Sequence, residues 1–204
     1  TVWTYATGNK IFSAPFITSQ LAIVSSCDGF IYALDKQKGT VCWKYDTGYP
    51  IVACPTVTDG NIYIGSSNGK FYSLRLADGI PNWITDGLNG YIESRPATDS
   101  ERVYTGTWGA MFYAMDRKSG EKIWEFNTGR GRYFSPGACW PVVLPYEKEG
   151  NLSEQVVVIS SDYFVRAFTP PRRKNPLGIR RSERTRIPRL LPGWKDHVRK
   201  RYQK

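Results

Sequence analysis

A single histidine, His197, occurs in 204 residues, accompanied by only two methionines and four cysteines. No Ser-His or Cys-His pair can therefore be assembled within residues 1–170. Cys27, Cys42, Cys54 and Cys139 include no Cys-x-x-Cys pair, so the spacing typical of a metal site is missing. Cys42 precedes a tryptophan and Cys54 sits among small apolar residues, so both are expected to pack; the sequence assigns no disulfide. No apolar run is long enough to span a bilayer as a helix, and no long helical periodicity appears. An excess charge is missing too from most of the chain: residues 1–170 carry 15 basic and 16 acidic side chains, a net of −1.

What the chain does have is a period. Trp3, Trp43, Trp83 and Trp124 stand 40, 40 and 41 residues apart, within Trp3-Thr4-Tyr5-Ala6-Thr7-Gly8, Trp43-Lys44-Tyr45-Asp46-Thr47-Gly48, Trp83-Ile84-Thr85-Asp86-Gly87 and Trp124-Glu125-Phe126-Asn127-Thr128-Gly129. A proline follows each after 12 or 13 residues: Pro15, Pro55, Pro96 and Pro136. Next comes a short apolar strand (Ala22 to Ser26, Ile62 to Ser66, Val103 to Thr107), then a turn at Asp28-Gly29, Asn68-Gly69 or Trp108-Gly109, then an alternating strand. Asx-Gly between alternating runs marks a hairpin because both residues tolerate positive φ. A last turn at Lys38-Gly39, Asp78-Gly79 or Ser119-Gly120 leads to the next tryptophan.

Each period therefore reads as four short antiparallel strands, and such units of about 40 residues are the blades of a β-propeller. The expected class is all-β. The chain is expected to open on the last strand of one blade, run through three more and begin a fourth, about three and a half to four blades of an open ring. A tryptophan recurring once per blade is expected to lie buried between adjacent sheets. Uncovered blade faces predict a marginal or self-associating piece.

The run from Tyr32-Ala33-Leu34-Asp35 through Gly39 and Trp43 to Thr47-Gly48 resembles the repeat of the pyrroloquinoline-quinone-like (quinoprotein-like) β-propeller family, over roughly residues 1–168. That family includes quinone-dependent dehydrogenases, a lipoprotein of the outer-membrane barrel-assembly machinery, and propellers fused to other bacterial enzymes. The resemblance implies a periplasmic or extracellular location. The dehydrogenases are further similar in a disulfide between adjacent cysteines, a catalytic aspartate and a calcium site. No two cysteines here are adjacent, so pyrroloquinoline quinone is not expected as a cofactor.

Departures from the repeat mark candidate sites, because function on an array is grafted where the consensus breaks. The loops feeding the first strand of each blade become rich in charged and aromatic residues in the third and fourth repeats. Tyr91, Glu93, Arg95, Trp108, Arg130, Arg132 and Tyr133 are the candidate partner or ligand face. Asp35 and Asp116 read as turn-forming carboxylates; no catalytic group or metal ligand is assigned. An insertion, Leu144 to Ser153, is expected as a flexible loop of blade four. The function these readings imply is a non-catalytic binding or scaffold domain joining protein partners in a bacterial envelope or secreted protein. The competing class is an accessory propeller of an enzyme, a quinone dehydrogenase or a fused hydrolase, with its active site elsewhere. The remainder of a propeller is the other expected partner.

Residues 171–204 differ in kind, with 13 Lys or Arg against Glu183 and Asp196, a net of +11. As a disordered basic arm they would bind nucleic acid or an anionic surface. The preferred reading is an out-of-frame translation of the next blade. With allowed codons and the first base dropped, Arg172 to Ile179 can read Gly-Glu-Lys-Thr-Leu-Trp-Glu-Phe, and Gly193 to Lys200 can read Asp-Gly-Lys-Thr-Met-Tyr-Val. The shifted tryptophan, aspartate and tyrosine keep the separations of Trp83, Asp99 and Tyr104. The gene sequence tests this: TGG is expected across the Leu177–Gly178 codon junction, and its absence ends the frameshift reading.

Overall fold

The computed structural model describes residues 1–129, 136–148, 151–162 and 164–169. The chain falls into two units, Thr1–Pro170 and Pro171–Lys204, and the second lies outside the described residues. In the first, β1 (Phe16–Ile17), β2 (Leu21–Ser25), β3 (Phe30–Asp35) and β4 (Val41–Asp46) form one antiparallel sheet. A second comprises β5 (Thr56–Thr58), β6 (Asn61–Gly65), β7 (Phe71–Arg75) and β8 (Pro81–Thr85). The third holds β9 (Ala97–Thr98), β10 (Arg102–Thr107), β11 (Met111–Asp116) and β12 (Lys122–Asn127), and the fourth β13 (Val142–Lys148), β14 (Asn151–Ser160) and β15 (Phe164–Phe168). These are four propeller blades that do not close a ring. No helix among the described residues is long and apolar enough to cross a membrane, which says nothing of a β-barrel.

Burial follows from the period of two. Alternate residues of β2 and β3 point to opposite faces, and both faces are covered, so these strands are apolar throughout. Ile23, Ile31 and Ala33 pack on Ile51, Ile62, Ile64 and Leu74 of blade two. Ala22, Tyr32 and Leu34 turn the other way, onto Trp3 and Tyr5. The same division recurs: Tyr63, Phe71 and Trp83 meet Val103, Met111 and Met115 of blade three, and Tyr104, Phe112 and Ala114 meet Val156 and Val158 of blade four.

The recurring tryptophans make one contact three times over. Nε1–H of Trp3 donates to Lys36 O at 2.9 Å, that of Trp43 to Leu76 O at 3.0 Å, and that of Trp83 to Arg117 O at 2.9 Å. Each indole also lies on the glycine of the next turn. A Cβ on Gly39, Gly79 or Gly120 would stand 2.5, 2.5 or 2.6 Å from the Trp3, Trp43 or Trp83 ring, and each glycine has φ between +70° and +76°. A β-bulge precedes Trp43, Trp83 and Trp124. In each full blade the register slips before the tryptophan, leaving Cys42, Asn82 or Ile123 as the extra residue. Such a bulge bends the strand and redirects the following side chain. Trp124 is half-buried like Trp3 and Trp43, and packs on Tyr104, Phe112 and Phe168, while its indole nitrogen has no hydrogen-bond partner among the described residues.

Four expectations need correction. Residues 1–7 join no sheet, although Trp3 sits as the later indoles do. Cys42 is exposed, because a bulged residue leaves the packing alternation, whereas Cys54 is buried as expected. The third hairpin is offset by one: Ala110, at φ 63°, takes the left-handed place of Gly29 and Gly69. The insertion at 144–153 is mostly ladder, with β13 and β14 paired from Val142–Val157 to Lys148–Asn151, so its backbone groups bond each other as strands.

Gly79→Ala and Gly48→Ala separate the two demands on these glycines. Gly48 has the same φ, +74°, with nothing near a Cβ. Its substitution is expected to cost about 1 kcal/mol from φ alone, and Gly79→Ala a further ~1–3 kcal/mol from overpacking against the indole. Denaturant unfolding of both checks this; equal losses would remove the indole contact from the account.

Candidate functional site

The loops that lead into each blade run beside the hairpin tips between its second and third strands. One backbone bond repeats there: Cys27 N–H to Lys10 O at 2.9 Å, Ser67 N–H to Pro50 O at 3.1 Å and Trp108 N–H to Tyr91 O at 3.0 Å. Tyr91 and Trp108 are therefore neighbours through a bond that each of the first three blades makes. The glycines between them allow the approach, since a Cβ on Gly90 or Gly109 would collide with Gly109 N or Asn89 O. Trp108 Nε1 is buried without a hydrogen-bond partner among the described residues.

The third loop alternates. Ile92, Ser94 and Pro96 are buried, and the Ser94 hydroxyl meets that of Thr105 at 3.0 Å, which places Tyr91, Glu93 and Arg95 together on the opposite side. Arg95 leaves that group. Its guanidinium lies 5.7 Å from the Phe16 ring centroid and its Nε donates to Thr56 Oγ1 at 3.4 Å, reaching the first two blades. Glu93 forms no ion pair with Arg95, whose partners among the described residues are these two. Of the candidate residues, Tyr91 and Trp108 are joined by a backbone bond; Arg130, Arg132 and Tyr133 lie outside the described residues.

Sequence reasoning missed a row of tyrosines beneath this face. The Tyr32 hydroxyl donates to Asp28 Oδ2 at 2.7 Å, Asn68 Nδ2 donates to the Tyr72 hydroxyl at 3.1 Å, and Asn89 N–H donates to the Tyr113 hydroxyl at 3.0 Å. In blade four Arg166 replaces the tyrosine and pairs with Asp162 through two hydrogen bonds. For Tyr32, Tyr72 and Arg166 an Asx four residues earlier was the available signal; Gly109 stands at that place before Tyr113. Also missed was the buried group around Asp99, whose carboxylate accepts from Glu101 N–H at 2.8 Å, Arg102 N–H at 2.6 Å and the Tyr104 hydroxyl at 2.6 Å. Asp35 and Asp116 do accept turn N–H groups, from Gln37 and Lys38 and from Lys118 and Ser119.

Burial and the Asp28 charge raise the Cys27 thiol above its ordinary pKa, and burial raises that of Cys139, so neither is a thiolate at neutral pH. The four cysteines are unpaired, and no cluster of three His, Cys, Asp or Glu side chains occurs among the described residues. Exposed Tyr91 and half-buried Trp108 offer amphipathic aromatic area of the sort partners bury.

Residues 1–86 match the family described as outer membrane protein assembly factor BamB. The crystal structure of BamB from Moraxella catarrhalis is similar with a TM-score of 0.58 at 17% identity, over 80% of this chain and 55% of that one. The computationally designed protein Ika4 aligns with a TM-score of 0.65 at 13% identity, over 80% of this chain and 93% of that one. A europium-containing methanol dehydrogenase gives 0.68 at 12% identity, over 82% of this chain and 43% of that one. The chain therefore spans about half the length of BamB, and at these identities the likeness is one of fold. No curated protein matches the sequence.

Asp28 gives the face a pH signature. Burial pushes its carboxyl up, but hydrogen bonds from Tyr32, Phe30 N–H, Gly8 N–H and Ser26 prevail and hold it below the ordinary 3.8. A carboxyl lowered in the folded state stabilises fully above its unfolded value and loses that contribution as pH falls through the folded one. The stability gap between wild type and Asp28→Asn is thus expected to be constant from pH 7 to about pH 5 and to shrink below pH 4. Urea titrations across that range check it; a gap unchanged at pH 2 would contradict the assignment.

Proposed function

We propose that this chain, whose residues 1–86 match the BamB family, is a non-catalytic binding domain that joins protein partners in a bacterial envelope or secreted protein. The observation carrying this reading is the aromatic pair on the loop face. The Tyr91 and Trp108 backbones are brought together by a bond that every full blade makes, yet the residues at that bond in the first two blades, Lys10 with Cys27 and Pro50 with Ser67, are not aromatic. The scaffold bond is constant while its side chains change, as expected where recognition has been added to an array. The matching family is described by a role in outer-membrane protein assembly, which supports a protein partner and an envelope location. An extended segment or loop of that partner fits this face, its apolar side chains against Tyr91 and Trp108.

A second reading is an accessory propeller of a larger enzyme. It draws on the length comparison, since the chain spans 43% of the methanol dehydrogenase it aligns with.

Capture from bacterial envelope fractions, followed by affinity measurement with the captured partner, tests the first reading. Tyr91→Ala is expected to weaken binding tenfold or more, as truncation of an aromatic anchor does, while the exposed ring leaves stability within about 0.5 kcal/mol. Unchanged affinity would remove the face from the proposal. Calorimetric titration with pyrroloquinoline quinone and calcium is expected to show no heat; saturable binding would favour the enzyme reading.

A further inference from the structure

Asn-Gly occurs twice in the chain, at Asn68-Gly69 and Asn89-Gly90, and the fold places the two pairs in opposite circumstances. In this dipeptide the glycine nitrogen can reach the carbonyl carbon of the asparagine side chain, because no Cβ on the glycine stands in the way. Whether it does depends on what holds the two groups.

The first pair is locked. Asn68 Oδ1 accepts from Lys70 N–H at 2.9 Å, Asn68 Nδ2 donates to the Tyr72 hydroxyl at 3.1 Å, and Gly69 N–H donates to Ser66 O at 3.2 Å. Asn68 is half-buried and Gly69 buried, so both reacting groups are tied into the hairpin tip of blade two.

The second pair is loose where the first is tied. Leu88 N–H donates to Gly69 O at 3.2 Å as Thr47 N–H does to Gly29 O at 2.9 Å, so Asn89-Gly90 stands in the third entry loop where the second has Gly48-Tyr49. Asn89 is exposed. Its Oδ1 and the Gly90 N–H have no hydrogen-bond partner among the described residues, and its Nδ2 reaches only Gly109 O, at 3.4 Å. The main chain around them is held: Asn89 N–H donates to the Tyr113 hydroxyl at 3.0 Å, and Asn89 O accepts from Thr107 Oγ1 at 2.5 Å.

We propose that Asn89 is a site of spontaneous deamidation. The Gly90 nitrogen gives up its proton to water or hydroxide and bonds to Asn89 Cγ; the Cγ–Nδ2 bond breaks, and the amide leaves as ammonia. The resulting succinimide takes up one water. Opening at Cγ gives aspartate, and opening at the main-chain carbonyl gives isoaspartate, in which the chain runs through the side-chain carbon and gains a methylene. The two products act differently on the loop. Aspartate leaves the main chain as it was and puts a negative charge beside Gly109 O. Isoaspartate turns the carbonyl that meets Thr107 into a free carboxylate and displaces Gly90, which is packed so closely that a Cβ on it would stand 2.3 Å from Gly109 N. The bond from Trp108 N–H to Tyr91 O, one residue on, is loosened as a result. The modification needs no partner and does not depend on what Tyr91 binds.

Peptide mass mapping of the full chain, kept folded in mildly alkaline buffer or unfolded in urea, tests this. In urea both asparagines are expected to convert at similar rates. In the folded chain Asn89 is expected to convert at least about tenfold faster than Asn68, whose groups must first break their hydrogen bonds. The rate is expected to rise with pH, since the attacking species is the deprotonated nitrogen. Equal rates in the folded chain, an Asn89 left unconverted while both convert in urea, or a preference that urea leaves unchanged would overturn the proposal. As a second measurement, hydrogen exchange compares the purified isoaspartate form with Asn89→Asp. The Trp108 amide is expected to exchange about tenfold faster in the former and at the wild-type rate in the latter. Equal protection in both would overturn the coupling to the Tyr91 loop.

Discussion

An indole lying on a glycine, with its N–H bonded to a carbonyl in the same turn, is the constraint from which this architecture follows. The contact joins residues of different blades, so it fixes where each sheet stands against the next. At Trp43 and Trp83 three parts coincide: the bulge at Cys42 or Asn82 redirects the ring, the left-handed glycine three residues beyond an acceptor carbonyl leaves room for it, and that carbonyl accepts its proton. A Cβ would occupy the ring's own volume, and a ring without the carbonyl would bury an unpaired N–H, a loss of about 1–3 kcal/mol.

Because the contact reaches only the adjacent blade, stability accrues in pairs. The apolar clusters obey this: one joins blades one and two, another two and three, another three and four. Polar ties follow the same rule. Arg117 in blade three pairs with Asp59 of blade two at 2.7 Å while its other nitrogen donates to Asp99 O at 2.8 Å. An array of this kind has no interior that is complete in itself. Ile11 and Val165 hold places that are buried in the middle blades, at Ile51 and Ile92 and at Phe71 and Phe112, and both are exposed.

The fold was legible in the sequence because this constraint is periodic. Trp43 and Gly79 recur at the repeat length, and the Asx-Gly turns at Asp28 and Asn68 announce their hairpins. What escaped were features that break the period or act within one unit. Ala110 adopts a glycine's backbone conformation without a glycine's name, so the third hairpin was read one residue early. Cys42 looked packed because it adjoins a buried ring, but a bulge cannot be seen in alternation that it interrupts. The 144–153 stretch reads as a loop by composition, whereas its backbone pairs along both arms. Of the candidate face, the proximity of Tyr91 and Trp108 was foreseeable from the repeat, while the departure of Arg95 toward Phe16 and Thr56 depends on the curvature of the arc.

The same constraint leaves the loop face free to carry the recognition proposed for it. Residues of the middle strands are committed on both sides, and those of the outer strands carry the indoles and their bulges. In the third loop only alternate positions are committed: Ile92, Ser94 and Pro96 fill the seam, and the backbone between Tyr91 and Trp108 is held by a bond that any side chain permits. The remaining positions can change without disturbing blade geometry. Large aromatic side chains at Tyr91 and, across the bond, Trp108 are accommodated at little cost to the fold, because that bond is the same one that holds Lys10 to Cys27 and Pro50 to Ser67.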